Sequence, residues 1–379
     1  MKDPPNFLTP QPLHLERSTW CNGEMVARPK KRVKRSAPTM EDVAKLAGVS
    51  RALVSLVFRG EPHVSTERRE RVLNAAAELN YRPNAAARAL ASHTNKTLGI
   101  MLQDLHDAYF AEVFEGIAVE ADSHGYRLLI GTGGRRPEDE ERTVESFLEY
   151  RVDGVILVSS MIDDSKLVGI SQQVPTLVTG NYIRVPSIDT VNADNQRGAE
   201  LVVNYLFELG HRRILHIDGG VELSSRPRSA AYWHAMEALG LTPHVIMGGY
   251  AEKGGADAAE SILKMRRRPT AVFAFNDRVA LGAMDRLEQG GITFPNEMSI
   301  VGYDNTLVSS LHPINLTTVN QPREEMGRLA VGTLIDRIDS HRQSAVHHTL
   351  QPTLIPRGTT RRIPVRSKTK QGSPRITTV

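Results

Sequence analysis

Residues 39–59 read TMEDVAKLAGVSRALVSLVFR. Thr39 is a good helix N-cap, and Glu41 and Asp42 sit in a first turn, where the helix dipole favours acids. Val43, Ala44 and Ala47 share one face at helical spacing. Gly48 stops the helix where a left-handed residue is needed. Val49 reads as a buried turn residue, and Ser50 caps a second helix running to about Phe58. Val54 and Val57 point back at the first helix. Arg51, Ala52, Ser55, Leu56 and Arg59 are left on the opposite face. Two short helices joined by a glycine turn, the second with a small, polar and basic outer face, make a helix-turn-helix whose second helix fits the DNA major groove. The plain alternative is an αα-hairpin of a larger core. Against it, Ser65 caps a third helix over 66–79, with Val72, Leu73, Ala76 and Leu79 as its inner face, so three helices close a small all-α head.

The order DVAKLAGVS (42–50), VS (54–55), HVS (63–65) and ERVLNAAAELNYRPNAAARAL (70–90) resembles the DNA-binding head and hinge of the lactose-repressor (LacI/GalR) family. The motifs keep order and spacing over about fifty residues, and the later chain is similar to that family as well. The candidates for DNA contact are Thr39, Ser50, Arg51, Ala52, Ser55, Leu56, Arg59, His63, Asn84 and Leu90. Many relatives carry Thr and Arg where this chain has Leu53 and Leu56. Leu56 cannot donate to guanine but can touch a thymine methyl. Base reading then falls on Arg51 and Ala52, with Ser50, Ser55 and Arg59 on phosphates.

The hinge follows at 84–97. Asn84 can cap AAARALA, a helix of about two turns, and such helices are marginal alone. It would order when two copies pack together on DNA, with Leu90 wedged into the minor groove. The resemblance assigns the wedge to the same leucine. An ordinary alanine-rich linker is the alternative.

On the other side of the head, residues 1–37 read as a tail with a basic run, RPKKRVKR, at 28–35. It reads as a solvated arm, as an extension upstream of an alternative start at Met25, or as a source of extra phosphate contacts. No apolar stretch follows the basic run, so no secretory signal is expected, and the location expected is the bacterial cytoplasm. The whole chain has 379 residues, 40% of them hydrophobic, and a net charge of +4. An isoelectric point near 9.1 suits a nucleic-acid partner without requiring one. A single cysteine, Cys21, excludes an internal disulfide framework. No apolar run is long enough to cross a membrane.

From Leu98 onward strands and helices alternate: LGIMLQ, RLLIG, GVILV, PTLVT, SIDTV, RRILHID, HVIMG, TAVFAF and SIVGY, with helical stretches between them. Such alternation implies doubly wound parallel sheets, and the stretch is too long for one sheet, so two α/β lobes are expected. The resemblance implies a periplasmic-binding-protein-like core over 98–357 whose lobes exchange three crossovers. Lobe one is then about 98–191 and 321–350, and lobe two about 193–319 and 351–357. The head occupies 38–83, and 358–379 is expected to be a basic tail.

Small ligands bind between such lobes at the carboxyl ends of strands. The resemblance places effector contacts on Asp107, Tyr109, Phe110, Arg228, Tyr250, Asn276, Asp304 and Gln321. Aromatic rings beside carboxylates suit a sugar, ring faces stacking on C–H surface and oxygens accepting from hydroxyls. Each has a duller reading: Tyr109 and Phe110 as core, Arg228 and Asp304 as partners of one another. Asp277 is read as a helix cap. Where many sugar-binding relatives have an Asp-Arg pair after the fourth strand, this chain has Gly180-Asn181, which leaves the corresponding hydroxyls unassigned.

Nothing points to an enzyme or a cofactor. There is no G-x-x-x-x-G-K-[ST], G-x-S-x-G or HExxH. GTGG at 131–134 is not a dinucleotide fingerprint, because its third glycine falls at the wrong spacing. The thirteen histidines, His347-His348 included, show no metal-ligand spacing. The expected protein is a ligand-responsive repressor of carbohydrate-metabolism genes, a homodimer on a near-palindromic operator with a sugar-like effector. The alternative is a sugar-binding protein with a vestigial head.

Overall fold

The computed structural model describes residues 38–82, 95–181, 183, 185–221 and 223–363. The chain divides into two compact units after Asn84.

The first unit holds α1 (Met40–Ala47), α2 (Arg51–Phe58) and α3 (Thr66–Glu78). Val43, Ala44, Val54, Val57, Val64 and Val72 close its core. Thr39 and Asp42 cap α1 reciprocally: the Thr39 amide donates to Asp42 at 2.9 Å and the Asp42 amide to Thr39 Oγ1 at 3.3 Å. Gly48 sits at φ +64, and the Val49 amide closes on the Ala44 carbonyl at 3.0 Å. Arg71 of α3 donates to the Ala47 carbonyl at 2.6 Å, tying α3 to the C-terminus of α1. Two expectations change here. Ser65 stands at the N-cap of α3 but makes no side-chain cap bond. Leu73 is 46% exposed, and Ala75 takes its place inside. At about 100° per residue, Ala76 and Leu79 flank Val72 closely while Leu73 falls at the edge of the stripe.

The second unit has two lobes. The first sheet joins β1 (Thr97–Leu102), β2 (Arg127–Thr132), β3 (Gly154–Val158), β4 (Thr176–Thr179), β5 (Asp189–Ala193) and β11 (His347–Leu350) in the parallel order β11-β5-β4-β3-β1-β2. The second joins β6 (Ile214–Asp218), β7 (Val245–Met247), β8 (Ala271–Ala274) and β9 (Ser299–Val301) in the parallel order β7-β6-β8-β9. An antiparallel pair, β10 (Thr318–Asn320) with β12 (Thr353–Ile355), joins it through a bridge from Val301 to Thr317. The chain passes to the second lobe after β5, returns after β10, and passes again between β11 and β12. Apolar clusters cover both faces of each sheet. Helix α4 (Ala108–Ser123) meets α12 (Arg323–Ser340) at Gly116 and Gly327, where a Cβ would stand 2.0 Å and 2.1 Å from the opposing backbone. Only glycine permits that approach.

The packed chain runs past the expected boundary at 357. Thr359 Oγ1 donates to the Ile300 carbonyl at 2.7 Å, and the Ile363 amide to Leu209 at 2.8 Å. Arg357 donates to the Leu316 carbonyl at 2.8 Å. The first residues read as tail are therefore an edge partner of the second lobe, because Thr359 is buried there and its hydroxyl both accepts from the Thr317 amide and donates to Ile300.

Candidate functional site

In the head, Arg51, Ala52, Arg59 and His63 are exposed, while Ser55 and Leu56 are half-buried. Leu56 leans on the head core rather than standing clear of it. Ser50 Oγ accepts from the Leu53 amide at 3.2 Å, so Ser50 and Thr39 both serve as helix caps at the head surface. Asn84 and Leu90 lie outside the described residues.

The cleft lies between the lobes at the carboxyl ends of the strands, and it brings together all eight residues expected there. Asp107 caps α4, accepting from the Tyr109 amide at 3.0 Å, and stands 3.5 Å from Arg278. Burial pushes its carboxyl above the ordinary range, against that amide and Arg278. Tyr109 and Phe110 meet edge to face at 5.2 Å and are both buried. Gly180, at φ +81, leaves room for Ser159 and the Tyr109 hydroxyl: a Cβ there would stand 2.5 Å and 3.1 Å from them. Asn181 turns away and donates to the Ser160 carbonyl at 2.5 Å, so it offers the cleft nothing.

The second lobe supplies the opposite wall. Arg228 is buried on α8 (Ser225–Ala238), donating to Asn195 Oδ1 and the Phe275 carbonyl at 2.8 Å each, with its guanidinium 3.7 Å from the Tyr303 ring. No ion pair joins Arg228 to Asp304 among the described residues, so they are not each other's sole partners. Asp304 accepts from Gln321 Nε2 at 2.6 Å and holds φ +116, a strained value for a residue with a Cβ. Burial raises its pKa far more than the charge of Arg228 lowers it.

Asn276 caps α10 (Asp277–Gln289), accepting from the Val279 amide at 2.8 Å and donating to the Tyr250 carbonyl at 2.9 Å. Asp277, read as that cap, does something else. It is fully buried and accepts from Thr306 N and Oγ1 at 2.8 and 3.0 Å and from Thr318 Oγ1 at 2.6 Å. It pins the strand ends on which Asp304 and Gln321 ride. Two neighbouring residues could each cap; contacts distant in sequence decide which one does.

Sequence reasoning missed Gln103, Arg135, Ser159, Ser224 and Phe275 in the lining. Gln103 and Phe275 follow strands directly, so their position could have marked them. Arg135 had no signal. It leaves the loop after β2 at φ +63, and its guanidinium lies 3.4 Å over the Tyr250 ring of the opposite lobe. Arg278 crosses the other way, donating to Asp104 at 3.3 Å and to Glu252 at 2.9 and 2.8 Å. Between these two crossings the cleft keeps only about 40 Å³ of open volume. That is room for a few water molecules.

The described residues contain no cluster of His, Cys, Asp or Glu able to hold a metal, and no described helix is long and apolar enough to cross a membrane.

Residues 39–84 match the model of bacterial regulatory proteins of the lacI family, and 203–360 match a periplasmic binding protein-like domain. A ribose operon repressor of Haemophilus influenzae is 33% identical over 324 residues, covering 84% of this chain and 97% of its own. The transcriptional repressor CytR of Escherichia coli K12 is 32% identical over 335 residues, covering 87% and 98%. The crystal structure of a lac repressor dimer bound to operator and an anti-inducer superposes with a TM-score of 0.78 at 29% identity, over 86% of this chain and 99% of that one. Exposed basic residues on a capped second helix, a two-lobed core and relatives matched along nearly their whole length lead to one answer: the chain belongs to the lacI family of bacterial regulatory proteins, a DNA-binding transcriptional repressor and not an enzyme.

Proposed function

We propose that a sugar or sugar derivative, held in the cleft, controls this repressor's grip on its operator, and that the genes it governs serve carbohydrate metabolism. The observation that carries the reading is the cleft lining. Tyr109, Phe110 and Tyr250 offer ring faces, and Asp107, Asp304, Arg228, Asn276 and Gln321 offer hydrogen-bonding groups around them. A polyol has both kinds of surface to satisfy. The ribose operon repressor among the relatives supports the carbohydrate reading.

The nearly filled cleft adds a mechanism. A monosaccharide needs more than 40 Å³, so it binds only where the lobes part or Arg135 moves. Effector and closed cleft are then alternatives, and the effector shifts the population between two lobe arrangements. The head meets the major groove through Arg51, Ala52 and Leu56 on base edges, with Ser55, Arg59 and His63 toward phosphates. Two copies read a near-palindromic operator, and Leu90 of each wedges the minor groove. The operator-bound lac repressor dimer supports the pairing.

The test uses the full chain and a DNA fragment from upstream of its own gene. Pentoses, hexoses and their phosphates are screened first by thermal shift and then for a change in DNA retention. At least one should raise the melting temperature and alter retention together. If none does either, the cleft reading is wrong.

A further inference from the structure

A second concavity lies on the far edge of lobe two, at the N-terminal ends of β6 and β8. It opens about 410 Å³, ten times the volume of the cleft. Arg212, Arg213 and Arg267 line it, together with half-buried Leu241, Pro243 and Met265. No carboxylate lines it.

Like Arg228 and Arg357, but unlike five other arginines of the core, the arginines there reach no carboxylate. Arg278, Arg286, Arg323, Arg337 and Arg342 each reach a carboxylate. Around the groove, Arg212 donates to the carbonyls of Phe207 and His211, Arg213 to that of Arg268, Arg268 to that of Leu263, and Arg362 to that of Glu208. The side chains of Arg266, Arg267 and Arg361 bond to nothing among the described residues. Three of these arginines line the groove, and none of the seven has a carboxylate within 4 Å among the described residues. Capping helix ends accounts for some of them. It does not account for Arg266, Arg267 and Arg361. The field reaches inward: burial first, and then the charges of Arg361 and Arg212, hold His211 below the ordinary imidazole value.

We propose that this groove is a second ligand site, separate from the cleft, for a small phosphorylated compound with an apolar body, such as a nucleotide. Arginine forks match phosphate oxygens, and the Leu241, Pro243 and Met265 surface fits a flat ring. Its size argues against duplex DNA as the occupant: a duplex covers about 1,000 Å² or more of basic surface, and only three arginines line this groove. The chain's own C-terminal segment is excluded by charge: residues 364–379 carry Arg366, Lys368, Lys370 and Arg375 and no acid.

The probes are ADP and pyrophosphate, titrated calorimetrically into the full-length protein. ADP should bind saturably, one per chain, and about tenfold or more tighter than pyrophosphate, because only ADP uses the apolar surface. Arg267→Glu should weaken ADP about tenfold or more with the melting temperature unchanged, since that side chain makes no bond. Arg266→Glu changes the same charge outside the groove and should weaken ADP by less than about threefold. The proposal is overturned by no saturable binding, by ADP and pyrophosphate binding alike, by an unaffected Arg267→Glu variant, or by equal losses in the two variants.

Discussion

Arg51, Ala52 and Arg59 in the head and Arg228, Asn276 and Asp304 in the cleft are arranged in opposite ways. The head residues are exposed and make no side-chain hydrogen bond within the described chain. The cleft residues are buried and already bonded: Arg228 to Asn195 and Phe275, Asn276 to Val279 and Tyr250, Asp304 to Gln321. A surface that meets DNA can keep its donors in water until the duplex arrives. A cleft walled off from water cannot, because an unpaired buried donor or acceptor costs about 1–3 kcal/mol. Recognition and folding are therefore separable in the head and entangled in the cleft, and substitutions can test that contrast.

The hardest blow falls beneath the cleft, at Asp277. Asp277→Ala leaves three donors from Thr306 and Thr318 without their buried acceptor. The expected loss is about 3–5 kcal/mol of unfolding free energy in urea. Sugar response should fall with it, because Asp304 and Gln321 rest on the same strand ends. A loss below about 1 kcal/mol would separate the cleft from its support and break the contrast.

The head should behave in the reverse manner. Arg51→Ala is expected to lower operator affinity about ten- to a hundredfold, as loss of a base contact does, while changing stability by less than about 0.5 kcal/mol. A fluorescence anisotropy titration beside a thermal melt reads both. An unchanged affinity moves base reading away from Arg51, and a large loss of stability makes the head as entangled as the cleft.

The two regions were also unequally legible. Helices α1 and α2 follow from Thr39, Gly48, Ser50 and the apolar spacing of Val43, Ala47, Val54 and Val57, all signals within one or two turns. The strands and helices of the core follow from equally local alternation. The cleft was legible a few residues past the strand ends, as at Asn276 and Asp304, while Gln103 and Phe275, which follow strands directly, were passed over. It was illegible where the deciding contact comes from afar. Asp277 takes its role from Thr306 and Thr318, and Arg135 from Tyr250 in the other lobe. Leu73 failed for a different reason: a residue at the edge of an amphipathic stripe needs to know how wide its neighbour is.

Acidity offers a third, smaller probe of the cleft. Burial holds Asp304 and Asp277 above the ordinary carboxylate range. A folded-state acid with a raised pKa binds more protons than its unfolded counterpart, so the native state loses stability as pH climbs from about 4 through the folded value. One such group contributes a slope of at most about 1.4 kcal/mol per pH unit. Asp304→Asn should flatten the fall of stability with pH above 4, measured by urea midpoints across pH 4–9. No comparable flattening should follow from Arg51→Ala, whose group does not titrate in that range. Identical pH profiles for wild type and Asp304→Asn would place Asp304 in a wetter site than its burial indicates.

The gentlest test is Arg135, where the contrast is least obvious. Its guanidinium over Tyr250 joins the two lobes in the contracted state, and that stacking must be given up if the effector enters by parting them. A cation–π contact of this kind is worth about 0.5–2 kcal/mol. A contact made only in the closed state lowers the population able to bind and weakens apparent effector affinity by the same amount. Arg135→Ala should therefore tighten binding of whichever sugar the thermal screen finds by about three- to tenfold, corresponding to about 0.6–1.4 kcal/mol. DNA affinity in the absence of sugar should move in the direction that sugar moves it in the wild type, because both favour the open arrangement. Weaker sugar binding in Arg135→Ala would mean that the arginine grips the effector itself, and the cleft would then hold one more ligand group than the eight expected, contributed by a loop that no sequence pattern marked.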